Sequence, residues 1–160
     1  MRTRTLLMPL LICLASLVCL RAAAAQAGDV AVVVNDRNPV TTLSNAELRT
    51  IFAGEKHYWS AGLPIKIFVR GPGTREREAL LKLLGMTESE YKRYWTTQVL
   101  RGEAQAEPMA LPSIGMQREA VGAYLGAVTL VNFEDIKAGM KVLKLEGRKP
   151  GETGYALQGR

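Results

Sequence analysis

The stretch Ile65-Lys66-Ile67-Phe68-Val69-Arg70-Gly71-Pro72-Gly73-Thr74-Arg75 holds the residues with the clearest chemical use. An apolar strand pattern ends in Arg70, a glycine turn follows, and Thr74 opens a helical pattern. The first turn of a helix presents N–H groups without intrahelical acceptors, together with about half a positive charge. Gly71 and Gly73 let an oxyanion approach the backbone, Thr74 adds a hydroxyl donor, and Arg70 or Arg75 adds charge-assisted hydrogen bonds. The chemistry is anion binding at the carboxyl end of a strand, where open α/β folds take their ligands. No Gly-Lys-Ser/Thr closes the turn, so it is not a nucleotide-binding P-loop. The same residues also support a purely structural reading, with Thr74 a helix cap, the glycines a turn and the arginines solvated. Residue types alone leave both readings open.

Other reactive types assemble nothing comparable. His57 is the only histidine and sits beside Tyr58 and Trp59, so with no cysteine nearby it makes no nitrogen and sulfur metal site. Glu76 and Glu78, like Glu88 and Glu90, lie two apart on helical stretches and diverge rather than forming a dyad. The preference of acids for helix N-termini accounts for their positions. Ser44 and Ser113 have no base close in sequence. Trp59, Tyr91, Tyr94 and Trp95 have the spacing of core residues rather than of a base-stacking platform. No catalytic set emerges, no enzyme is expected, and no cofactor is implied.

The elements that must position the loop follow from periodicity. Val30-Ala31-Val32-Val33-Val34 is a β-branched run ended by Asn35 and Asp36 and predicts a buried strand. Ser44-Asn45-Ala46-Glu47 is a capping box opening a helix with Leu48, Ile51 and Phe52 on one face, stopped by Gly54. A strand is expected over Ile65–Val69. A helix from Thr74 to about Leu84 carries Ala79, Leu80, Leu83 and Leu84 as its buried stripe. Thr87-Glu88-Ser89-Glu90 opens another helix, with Tyr91, Tyr94, Trp95 and Val99 as its apolar positions. Residues 101–112 are polar with two prolines and read as a surface loop. A helix near Met116–Tyr124, a strand over Ala127–Val131 and a strand over Lys141–Leu145 complete the pattern. The glycine-rich tail from Gly147 is expected to be loosely ordered. Strands alternating with helices imply an α/β layered fold with a mixed, partly parallel sheet.

The first 27 residues differ from the rest. Arg2 and Arg4 precede the apolar run Leu6–Leu20, and Arg21, an alanine stretch and Ala25-Gln26-Ala27 follow. That order is the pattern of a secretory signal peptide cleaved before Gly28, and it divides the chain into residues 1–27 and a single domain over 28–160. The apolar run is shorter than the ~20 residues a membrane span needs. Ser16, Leu17 and Val18 do not suit a lipid anchor on Cys19. Removing the segment leaves 133 of the 160 residues and takes away Arg2, Arg4, Arg21 and both cysteines, Cys13 and Cys19. The remainder carries 18 basic and 15 acidic residues, a balance of +3 rather than +6. A mildly basic, cysteine-free exported domain excludes a disulfide framework and a thiolate nucleophile, and gives no reason to expect nucleic acid as a partner.

With these residues in view, the chain resembles the periplasmic phosphate-binding proteins of ABC importers, as a small, truncated member. Four segments carry the similarity: the strand with Asn35 and Pro39; Leu48-Arg49-Thr50-Ile51-Phe52-Ala53-Gly54 with Trp59; the Val69–Thr74 loop; and Lys141–Gly147 with Pro150. The resemblance implies one lobe plus hinge strands of a type II periplasmic binding fold. It implies an oxyanion ligand, inorganic phosphate first, and a periplasmic location. The implied partners are an ABC importer membrane component or another envelope protein, with a homodimer as one way to rebuild a cleft. Arg70 matches the phosphate-contacting arginine, Gly73 and Thr74 the donors opening the helix, and Ser113 falls near the same cleft.

Departures from the family pattern matter. Only Gly71 and Pro72 separate Arg70 from Gly73, so the acidic residue and serine of the full loop are missing. That acid would accept a hydrogen bond from protonated phosphate, and selectivity against sulfate loses its basis. The usual Gly-Ala-Ile-Gly-Tyr strand reads Gly126-Ala127-Val128-Thr129-Leu130 here, and the opening segment that supplies the other lobe's contacts has no counterpart. Two or three charged hydrogen bonds and a helix end supply at best about 4–8 kcal/mol, against about 8 for micromolar binding. A single lobe is therefore expected to hold an anion weakly unless another chain closes over it. The alternative is a protein-interaction module of the envelope that keeps a vestigial anion loop.

Overall fold

The computed structural model describes residues 28–158, so the expected export segment lies outside the described residues. The elements are β1 (Val30–Asn35), β2 (Thr42–Leu43), α1 (Asn45–Phe52), β3 (Lys66–Arg70), α2 (Arg75–Leu84), α3 (Glu88–Leu100), β4 (Met109–Leu111), α4 (Ile114–Ala123), β5 (Ala127–Asn132), β6 (Met140–Val142) and β7 (Lys144–Leu145). Five strands form one sheet in the order β4-β3-β5-β1-β6. β3 runs parallel to both β4 and β5, and β1 runs antiparallel to β5 and β6. Four strands therefore point one way and β1 alone points the other, the mixed and partly parallel sheet that the pattern predicted.

Every residue of β1 is buried, as a β-branched run with helices over both faces should be. The period of two separates two cores. Val30, Val32 and Val34 pack with α1, α2 and α3 through Leu48, Phe52, Leu80 and Trp95, whereas Ala31 and Val33 pack with Val121 of α4 and with Phe68. Both capping boxes form: Ser44 with Glu47, and Thr87 with Glu90. Trp59 anchors the loop after α1 by donating its indole N–H to Gly126 O at 3.0 Å. A Cβ at Gly126 would lie 1.8 Å from Pro64 O, so this backbone crossing admits only glycine.

Four expectations need correction. The stretch 101–112 is not all loop, because Met109–Leu111 pairs with β3; this edge strand buries only Leu111, so it carries little hydrophobic signal. The run Lys141–Leu145 is two strands. Leu143 N donates to Val32 O, and the chain then leaves β1 so that β7 pairs parallel with β2 in a separate small sheet. Val99 is exposed rather than part of the α3 apolar face. The tail is not loose: Tyr155 and Leu157 are buried, Val30 N donates to Leu157 O at 2.9 Å, and the Tyr155 hydroxyl donates to Val30 O at 3.1 Å. Those bonds occupy the backbone at the start of β1, a stronger constraint than the glycine content suggests.

Candidate functional site

β3 lies between β5 and β4, and its two ladders are offset along its length. Lys66 and Ile67 are in register with Ala127 and Val128 of β5, while Phe68, Val69 and Arg70 are in register with Met109, Ala110 and Leu111 of β4. Arg70 and Leu111 are thus directly opposed at the carboxyl ends of neighbouring parallel strands. The chain leaves Arg70 through Gly71-Pro72-Gly73 into α2, and leaves Leu111 through Pro112 into α4. Two helix N-termini consequently start from adjacent strand ends, and the candidate residues Arg70, Gly73, Thr74, Arg75 and Ser113 all belong to these two starts.

Each has a definite local task. Arg70 is largely buried and donates from Nη1 to Leu111 O at 3.0 Å, tying the two strand ends together. Gly73 has φ +79°, where an L side chain is strained, and nothing lies within 4 Å of the place its Cβ would take. Thr74 caps α2: its Oγ1 accepts from Arg77 N at 3.3 Å and donates to Gly71 O at 2.9 Å. Ser113 caps α4 by accepting from Met116 N at 3.2 Å. Arg75 points to Glu134, 3.7 Å away, and both side chains are exposed. The cluster is real in space, but both hydroxyls are engaged in capping and Arg75 is turned toward another acid.

Sequence reasoning missed Glu76. Its place in the first turn of α2 was explained by the helix dipole, yet its side chain is only 5% exposed and its Oε1 lies 3.8 Å from Arg70 Nε. That exceeds hydrogen-bonding distance, and Arg70 Nε has no hydrogen-bond partner among the described residues. A buried carboxylate therefore faces the strand-end arginine across the loop. The available signal was an acid six residues beyond a strand-end arginine, on the helix turn that must sit above it.

Arg77, one position on, is also buried, and it ties α2 to α3. It makes two hydrogen bonds to Glu88, at 2.7 and 3.0 Å, and stacks over the Tyr91 ring at 3.8 Å. The bond from Arg77 holds the Glu88 carboxyl below its ordinary value. Burial pulls the Arg77 pKa down, but its bonds and charge partners Glu88 and Tyr91 outweigh that and leave it raised. Burial pushes the Tyr91 hydroxyl up to about 12. This cluster gives α2 a fixed seat.

A groove of about 650 Å³ lies elsewhere, along the amino end of β3, where β4 does not reach. It is lined by His57, Tyr58, Lys66, Trp95, Glu107 and Met109 among others, a mixture of signs without converging donors. Helix starts beside an arginine offer converging donors for an anion, which volume alone does not. Among the described residues there is no group of three or more His, Cys, Asp or Glu placed to hold a metal ion. No helix among them is long and apolar enough to cross a membrane.

A mixed sheet with one reversed strand, helices on both faces and polar loops at the carboxyl ends of parallel strands defines a lobe of a periplasmic binding protein. The chain belongs to the PBP superfamily, whose domain model matches residues 21–157. Among solved structures it is similar to an ABC-type phosphate transport receptor from Vibrio cholerae, at 21% identity and TM-score 0.62, covering 77% of this chain and 48% of that one. It is also similar to PstS from Borrelia burgdorferi, at 14% identity and TM-score 0.58, covering 77% and 49%. A phosphate-binding protein from Stenotrophomonas maltophilia matches at 19% identity and TM-score 0.53, covering 79% and 41%. The chain thus spans less than half the length of these structures, and at such identities the likeness is one of fold. No curated protein matches the chain.

Proposed function

We propose that this chain is an exported solute-binding module that holds an oxyanion, inorganic phosphate first, at the Arg70–Thr74 loop. The observation that carries the reading is the register of Arg70 with Leu111, which sets the starts of α2 and α4 side by side at one sheet end. Backbone N–H groups of one or both helix starts and the Arg70 guanidinium supply the donors, with Gly73 leaving the approach open. Binding is reversible and no bond is made or broken. The similar solved proteins that are named for phosphate transport or binding support phosphate as the ligand. They also support a periplasmic setting beside an ABC importer membrane component.

The described residues form one open-faced lobe, and a second copy or another envelope protein is the proposed completion of the cleft. With at best about 4–8 kcal/mol of gross interaction, from which ordering costs are still to be subtracted, the lobe alone binds no more tightly than about micromolar. The second reading, an interaction module with a vestigial loop, is favoured by one observation: Glu76 already sits against Arg70.

The test is calorimetric titration of inorganic phosphate into residues 28–160, beside a variant carrying both Arg70→Gln and Glu76→Gln. Removing both charges leaves no unpaired buried ion, so the fold should persist while binding disappears. Phosphate binding that survives in the double variant contradicts the assignment. Partner capture without anion binding supports the second reading.

A further inference from the structure

We propose that Glu76 is a built-in competitor for Arg70, an internal carboxylate that occupies the electrostatic place of the ligand and sets how weakly the loop binds anions. The inference rests on the oxyanion reading of the loop and assigns the regulation of that site to a residue outside the family's loop pattern. Three observations carry it. The Glu76 carboxylate is buried on the first turn of α2, with its side chain 5% exposed. Its Oε1 stands 3.8 Å from Arg70 Nε, which has no hydrogen-bond partner among the described residues. Arg75, the neighbouring cation, is drawn to Glu134 at 3.7 Å and does not compensate.

The physical consequence is direct. An anion on the Arg70 guanidinium sits a few ångströms from Glu76, where like charges repel strongly because little water lies between them. The same carboxylate offsets the partial positive charge of the α2 start. Glu76 thus subtracts from both positive features of the site. In return it keeps a largely buried arginine from standing alone when no ligand is present.

The experiment compares the parent domain with Glu76→Gln and Glu78→Gln, each titrated with inorganic phosphate and with sulfate at pH 7. Glu78 lies on the same helix turn but is exposed, so it controls for the helix-end charge alone. Glu76→Gln should bind both anions at least tenfold more tightly, and Glu78→Gln should change either by less than threefold. Glu76→Met, which keeps the volume and removes the charge, reads the same if the glutamine variant fails to fold.

Equal or weaker binding of both anions by Glu76→Gln overturns the proposal and makes Glu76 a positioning residue for Arg70. A gain for sulfate with a loss for phosphate also overturns it, because the carboxylate would then be accepting the ligand's proton. If the parent binds and loses binding on the double Arg70→Gln, Glu76→Gln change, while Glu76→Gln alone changes nothing, the site stands and the competitor falls. If neither the parent nor Glu76→Gln binds at millimolar anion, both readings fall together.

Discussion

At the residue scale, burial decides which charges have consequences. Arg70, Glu76, Arg77 and Glu88 form two neighbouring pairs at the start of α2, one at 3.8 Å without a hydrogen bond and one bidentate. Breaking the second by Arg77→Ala strips Glu88 of its partner and uncovers Tyr91. Urea unfolding should show a loss of roughly 1.5–3 kcal/mol, from the two charge-assisted hydrogen bonds and the stacking on Tyr91, since Glu88 itself stays partly in water. A loss below about 1 kcal/mol would place that pair with solvent-screened surface bridges. The pH dependence has a definite sign. Glu88 has its pKa depressed in the folded state, so its contribution is complete above the ordinary carboxylate pKa and disappears as pH falls through the folded value. Glu88→Gln should therefore flatten the acid side of a stability–pH curve and leave the slope near neutrality unchanged. Arg70→Ala alone is a poor probe of binding, because it strands Glu76; it should lower stability by about 1–3 kcal/mol, and Glu76→Gln should recover part of that loss.

At the element scale, strands and helices were legible wherever local chemistry and packing agreed. The β1 run, both capping boxes and the Thr74 start of α2 needed no tertiary information, since each follows from side-chain spacing or a capping hydroxyl. β4 escaped because only Leu111 of its three residues is buried, and an edge strand need not alternate. The β6–β7 break escaped because Leu143 and Leu145 keep the alternation through a change of sheet. Glu76 escaped for a related reason: an acid in a first helix turn has a sufficient local explanation, and its burial is visible only once β3 and α2 are placed together. The crossing at Gly126 belongs to this scale too. Gly126→Ala forces a Cβ into Pro64 O and should cost at least about 3 kcal/mol or prevent folding, as a thermal melt would show. A melt within a few degrees of the parent would mean that the Pro64 loop can move away.

At the scale of the whole molecule, the tail closes against the first strand, while the sheet end proposed to take the anion stays open. The bonds of Val30 with Leu157 and Tyr155 join the first strand to the last residues, so a segment expected to be loose is part of the core. Tyr155→Ala should cost about 3–5 kcal/mol, the range for emptying a buried aromatic site. Among the described residues nothing stands over the sheet end bearing Arg70, Gly73, Thr74 and Ser113 as a second lobe, and the chain spans less than half the length of the solved structures it resembles.

The most direct measurement is a calorimetric titration of inorganic phosphate into residues 28–160, run at low and high protein concentration with Glu76→Gln alongside. Saturable heat is expected in the parent at a Kd no tighter than about micromolar, with tightening of at least tenfold on removal of the Glu76 charge and stronger binding at high concentration if a second copy completes the cleft. The absence of heat from both proteins at millimolar phosphate would contradict the oxyanion reading, leaving the Arg70 loop a capped helix start whose charges serve only the fold.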